Sequence, residues 1–228
     1  MLVLFDIDGT LLLSHGAGMQ CFLQAGSTLF AREFRHDGLR FGGGLDPLIW
    51  RALCAANGVT DEDAHSHHER FRELYGRLLG ERLAQPATAY ALPGVTALLD
   101  ALTERTHVTV GLLTGNYPET GRAKLAAAGL PPQRFAVSAW GVDGNHRREL
   151  LPVALRRCEE HTGRVPPREQ VVVVGDTPHD VDCAAAHGCR SLAVATGHHG
   201  VEELAACGAS LAVPDLSDTQ RVVSWLGC

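Results

Sequence analysis

Asp6 and Asp8 fall together in Asp6-Ile7-Asp8-Gly9-Thr10, and Asp176 and Asp180 in Gly175-Asp176-Thr177-Pro178-His179-Asp180. Brought to one site, four carboxylates repel one another and need a cation. A hard divalent ion with oxygen ligands fits them, and magnesium is the usual choice beside a phosphate. Such an ion also neutralises charge as a phosphoryl group moves. Asp6 can then attack phosphorus and form an aspartyl-phosphate. The Asp8-Gly9 pair supplies a turn that brings Asp8 alongside. There its carboxyl can protonate the departing oxygen and later accept a proton from water. The phosphoryl oxygens need donors, and the Thr114 hydroxyl and the amides around Gly115 and Asn116 are candidates. A fixed cation is expected too. Lys124 is the only lysine in the chain, so an arginine is the expected supplier. Arg147 sits just before a helical pattern, where a guanidinium can meet phosphate oxygens in bidentate fashion.

Each polar cluster follows an apolar run of buried-strand type. Residues 2–5 lead into Asp6, 108–113 into Thr114, and 171–174 into Gly175. Residues 192–195 read the same way, and 211–213 as a last short strand. Helical patterns cover 95–103, 119–128, 149–161, 179–186 and 217–226. This alternation predicts an α/β fold, a parallel sheet with helices on both faces. Ligands of such sheets bind beyond the carboxyl ends of the strands, so three strands deliver acids and hydroxyls to one edge. Residues 16–84 break the alternation. They read as helices at 19–32, 47–57 and 62–83 without a strand. Flexible stretches at 14–18 and 85–94 flank them, the second carrying Pro86 and Pro93. The expected division is a core of 1–15 and 85–228 with a small helical domain, 16–84, inserted after the first strand.

In order and spacing these segments resemble the haloacid dehalogenase superfamily, in its phosphatase branch, and phosphoglycolate phosphatases within it. Asp6-Ile7-Asp8-Gly9-Thr10 matches the nucleophile motif D-x-D-G-T. Leu112-Leu113-Thr114-Gly115-Asn116 matches the second motif. Arg147, in His146-Arg147-Arg148-Glu149-Leu150, falls where the third motif has Lys or Arg, and Gly175-Asp176 through Asp180 matches G-D-x-x-x-D. The resemblance implies a Rossmann-like core, Mg2+ and an all-α cap. By that match Asp6 and Asp176 bind the metal through side chains and Asp8 through its backbone carbonyl, with Asp180 an accessory acid behind them. Cap loops of the form G-x-T-D reach the site in similar phosphatases; here the Gly-rich stretch 41–46 has Leu45 where threonine is expected.

Each piece also has a plain structural reading. Asp8-Gly9 can be a simple turn, and Thr177 to Asp180 a capping box. Thr114 can cap the helix starting near Pro118, Arg147 and Arg148 can be a solvated pair, and 41–46 can be a flexible connector. Their coincidence at strand ends, in family order, favours chemistry. His65, His67, His68, His198 and His199 lack partners at metal-ligand spacing.

The chain has 228 residues and a formal net charge of -6, so it carries no basic footprint for nucleic acid. No apolar run reaches membrane-spanning length. The first apolar stretch is too short for a signal peptide and has no basic start. Seven cysteines, none in a C-x-x-C pair, read as reduced thiols of a cytoplasmic protein. The expected activity is magnesium-dependent hydrolysis of a small phosphorylated metabolite, such as a phosphoglycolate-like ester or a sugar phosphate. Other chemistry of the same fold, dehalogenation, phosphonate cleavage or phosphosugar mutation, is the alternative, as is a non-catalytic binding protein. Similar phosphonate hydrolases need a cap lysine, and residues 16–83 contain none. Nothing in the sequence marks an oligomeric state.

Overall fold

A computed structural model describes residues 1–228 except Gly38 and Arg40. Strand β1 (Leu2–Phe5) is buried on both faces. Side chains of a strand alternate, so Val3 and Phe5 join one apolar cluster and Leu2 and Leu4 another. After β1 the chain makes β2 (Leu12–Leu13), then helices α1 (Ala17–Phe30), α2 (Asp46–Ala56), α3 (Asp61–Ser66) and α4 (His68–Leu83), and returns through β3 (Tyr90–Ala91). The alternating part follows: α5 (Val95–Thr103), β4 (Thr109–Leu113), α6 (Pro118–Ala127), β5 (Val137–Ala139), α7 (Arg147–Thr162), β6 (Val171–Gly175), α8 (Pro178–Ala185), β7 (Arg190–Val194), α9 (Val201–Ala206), β8 (Leu211–Val213) and α10 (Thr219–Leu226).

Six strands form one sheet in the order β5-β4-β1-β6-β7-β8, all parallel. Leu98, Leu102, Leu125, Val222 and Leu226, from α5, α6 and α10, cover one face. Leu150, Leu151, Leu155 and Ala184, from α7 and α8, cover the other. This is the expected α/β Rossmann-like layering. β1 lies between β4 and β6, so the loops after Phe5, Leu113 and Gly175 are neighbours at the carboxyl edge.

Helices α1 to α4 bury a separate aromatic cluster that includes Phe22, Trp50, Phe71 and Tyr75. The Trp50 and Phe71 rings stack with centroids 3.8 Å apart. The expected third helix, 62–83, is two helices. At the break the Ser66 hydroxyl and the His67 ring both bond the Asp63 carbonyl, side-chain competition of the kind that ends a helix. Three strands and one helix lie outside the sequence expectation. β2, β3, β5 and α9 have two to six residues each, too few to show a period. Among the described residues no helix is long and apolar enough to cross a membrane, and all seven cysteines are free.

Candidate active site

Asp6 follows β1 directly, and its amide donates to the Val174 carbonyl, so the chain is still held to β6 as it leaves the sheet. Its side chain is buried. Oδ1 accepts the Ile7 amide at 2.7 Å, and Arg147 Nη2 lies 2.9 Å from Oδ2. Arg147 is the first residue of α7. Its Nε and Nη2 donate to Asp180 Oδ1 at 3.0 and 2.6 Å. Asp180 Oδ2 accepts from the Thr177 amide and hydroxyl at 3.1 and 2.7 Å. Asp180 thus closes the start of α8 and anchors Arg147 at once, and protein donors already occupy both of its oxygens. Arg148 turns to the surface and pairs with Asp182, Nε to Oδ2 at 2.7 Å.

Asp8 stands at the entry to the turn, where the Thr10 and Leu11 amides donate back to the Ile7 carbonyl. Gly9, at φ 77°, carries the chain through the left-handed region, and a Cβ there would overlap the Asp176 carboxylate. Thr10 Oγ1 donates to Asp176 Oδ1 at 3.0 Å. The Asp8 carboxylate lines the same cavity as Asp6, and its Oδ2 accepts from Asn116 Nδ2 at 2.9 Å and Lys124 Nζ at 2.7 Å. Asn116 Nδ2 also donates to Thr114 Oγ1 at 2.9 Å. Thr114 does not cap α6. The Tyr117 amide at that helix start donates to Asp46 Oδ2 at 2.9 Å, and the Thr114 hydroxyl accepts from Asn116 Nδ2 instead.

The Gly-rich stretch before α2 is not a solvated connector. The Asp46 amide donates to the Gly115 carbonyl at 2.7 Å, and Arg147 Nη1 donates to the Gly43 carbonyl at 3.3 Å. A Cβ on Gly115 would overlap the Gly44 carbonyl oxygen, so the two backbones can pack this closely only with glycine there. Leu45 is buried in the apolar cluster with Leu113 and Leu150. At the position of the similar loops' threonine, leucine therefore anchors the loop to the core. A cavity of about 560 Å³ opens between this loop, α1 and the strand ends, with Asp6, Asp8, Asp176, Lys124 and Arg147 on its polar wall and Met19, Phe22 and Ile49 on its apolar one.

One carboxylate oxygen from each of Asp6, Asp176 and Asp180 lies within 4.8 Å of the other two. Burial, opposed by Arg147 but reinforced by Asp180, pushes the Asp6 carboxyl up to about 6. Burial, with Asp180 and Asp6 adding to it, pushes Asp176 up to about 8. Burial works against the Arg147 charge, yet Asp180 and Asp6 outweigh it and keep the guanidinium protonated. Asp6, Asp176 and Asp180 together present hard oxygen donors to a cation, and their mutual repulsion is what a divalent ion relieves. Among the described residues the histidines form no such group: His68 bonds the Tyr117 hydroxyl at 2.8 Å and His199 pairs with Glu203.

The family model of haloacid dehalogenase-like hydrolases matches residues 1–188. The chain belongs to this family of hydrolases. A phosphoglycolate phosphatase of Vibrio parahaemolyticus is 26% identical over 228 residues, covering 98% of this chain and 96% of the relative. One from Rhodospirillum rubrum is 31% identical over 229 residues, covering 99% and 90%. Among solved structures, a hydrolase from Pseudomonas syringae superposes with a TM-score of 0.72 at 21% identity, covering 98% of this chain and 97% of that one. CbbY from Rhodobacter sphaeroides does so with 0.72 at 18%, covering 95% of each. With such relatives along its whole length, this haloacid dehalogenase-like hydrolase is a phosphatase similar to phosphoglycolate phosphatases.

Two residues of this hydrolase's site, Lys124 and Asp46, lie outside the motifs, and the partner of a third, Thr10, is not readable from its motif. Lys124 carries a signal: Asn116, Thr120 and Lys124 recur every four residues on the α6 segment, a polar stripe where a core-facing helix should be apolar. All three are buried. Asp46 carries a weaker one, an acid beside Pro47 at a helix start. Thr10 lies inside the first motif, but its bond to Asp176 spans 166 positions of sequence and has no local trace.

Proposed function

We propose that this phosphatase hydrolyses a small phosphate monoester with Asp6 as covalent nucleophile and Mg2+ as cofactor. The observation that carries the reading is the buried Asp6 carboxylate at the end of β1, 2.9 Å from Arg147 and within reach of Asp176. In this reading residues 16–84 are the cap and residues 1–15 and 85–228 the catalytic core.

Asp6 and Asp176 side chains, with the Asp8 backbone carbonyl, would hold the ion, which when bound supplies charge neutralisation at the phosphoryl oxygens. Thr114, the amides of Gly115 and Asn116, and Arg147 bind those oxygens and hold phosphorus in front of the Asp6 carboxylate. Attack by Asp6 forms the new P–O bond and breaks the ester bond. Asp8 gives its proton to the departing alkoxide. Asp8, now ionised, takes a proton from water, whose oxygen attacks phosphorus and releases phosphate and free Asp6. Arg147 neutralises the Asp6 carboxylate between turnovers, with Asp180 holding the guanidinium in place.

The whole-length likeness to phosphoglycolate phosphatases makes phosphoglycolate and related short esters the first substrates to offer, with the cytoplasm as the place of action. An imine-forming phosphonate cleavage is disfavoured, because the sole lysine, Lys124, is bonded to Asp8 and Asn116 and held protonated. The test is a panel of phosphorylated metabolites and an aryl phosphate, with Mg2+ and with a chelator. The reading requires turnover of at least one ester that chelation removes and Mg2+ restores. Turnover of phosphonoacetaldehyde or a 2-haloacid above every ester contradicts it.

A further inference from the structure

Both side-chain partners of Asp8 converge on one of its oxygens. Lys124 Nζ and Asn116 Nδ2 donate to Oδ2 at 2.7 and 2.9 Å, and among the described residues no hydrogen bond reaches Oδ1. The two ends of the ion pair are unlike: the Asp8 side chain is 44% exposed, toward the cavity, and the Lys124 side chain 6%. Lys124 rises from α6 beneath α1, so close that a Cβ on Gly18 would sit 3.3 Å from Nζ. Its ammonium donates also to Asn116 Oδ1 at 2.7 Å. Asn116 in turn holds Thr114, so one network ties α6 to the residues on both sides of the reacting phosphorus.

Burial works against the Lys124 charge, and Asp8 and the buried Asp46 carboxylate favour it. Burying an ammonium has an effective penalty of several kcal/mol, and a half-exposed aspartate is solvated without one. We propose that Lys124 is a positioning residue for proton transfer by Asp8. With Asn116 it pins the carboxylate by Oδ2, so that Oδ1 is the oxygen that hands the proton to the leaving group and takes it from water. The inference rests on the phosphatase reading above, in which Asp8 is the acid and base, and gives the chain's only lysine its function.

The experiment compares kcat/KM for an aryl phosphate with a good leaving group and an alkyl phosphate with a poor one. The proteins are wild type, Asp8→Asn, Lys124→Met and the double variant, each checked for fold by circular dichroism. Expected is a loss in Lys124→Met at least about tenfold larger on the alkyl ester, since only a basic leaving oxygen needs the acid. The double variant is expected to be no slower than Asp8→Asn, because Lys124 acts through Asp8. Equal losses on both esters, or losses that multiply in the double variant, overturn the proposal. A sole lysine also gives a single signal after 13Cε-lysine labelling. Replacing Asp8 by Asn must move that signal, and an unmoved signal overturns the proposal even if Lys124→Met does not fold. A wild type inactive on every ester refutes the phosphatase reading instead, and Lys124→Met indistinguishable from an active wild type refutes only this inference.

Discussion

The Arg147 guanidinium lies 2.9 Å from the Asp6 carboxylate and 2.6 Å from that of Asp180, and all three side chains are buried together. Its neighbour Arg148 pairs with Asp182 at the surface. Arg147→Ala is therefore expected to cost on the order of 2–4 kcal/mol in transition-state stabilisation, read as kcat/KM. It should also destabilise the fold by about 3–5 kcal/mol, because two buried carboxylates lose their counterion. Arg148→Ala should stay within about 1 kcal/mol on stability and leave activity unchanged. The reverse pattern would move the third motif by one residue.

Asp8→Asn is expected to lose more rate on esters with basic leaving oxygens than on aryl phosphates, by about 10²-fold or more at the poor end. A leaving-group series measures it. A uniform loss across the series removes Asp8 from the acid role.

Metal binding should be visible without turnover. In the metal-free protein burial and the neighbouring acids raise Asp176 to about 8 and Asp6 to about 6, above the ordinary aspartate range. A raised carboxylate pKa means that the folded state holds protons the unfolded state has lost. Stability of the metal-free protein should therefore fall as pH rises from about 4 toward about 8. Mg2+ competes with those protons, so its increase in Tm should be larger near pH 8 than near pH 6 and should vanish in Asp176→Asn. Calorimetric scans with and without Mg2+ test this. An equal increase in the variant contradicts the assignment of Asp176 as a ligand.

Gly115 and Gly44 bring the second motif and the cap loop into backbone contact. Gly115→Ala should push that loop away and misplace the phosphate donors, costing about 10²-fold in kcat while the far-ultraviolet spectrum stays native. Wild-type kcat in this variant would show that the loop does not set the phosphate position.

The sequence discloses the sheet and the three polar strand ends because each is local. A buried apolar run followed by Asp6, by Thr114 or by Gly175-Asp176 needs no distant partner to be read. What it hides is either short or relational. β5 is three residues, Val137–Ala139, without a visible period. The break at His67 depends on side chains bonding one carbonyl. Asp46 shows as a helix-start acid, but that it closes α6, seventy-one positions on, is a tertiary fact. Lys124 shows by its rarity and spacing, but its partner Asp8 is 116 positions away and only the fold joins them.

In the proposed mechanism Asp6 is the residue that carries the phosphoryl group. The direct measurement is acid quench of the enzyme during turnover of an ester substrate with Mg2+, followed by peptide mass mapping. A phosphoryl adduct on Asp6, absent from a folded and inactive Asp6→Asn protein, is the predicted result. An adduct on any other residue, or Asp6→Asn turning over at the wild-type rate, contradicts the mechanism.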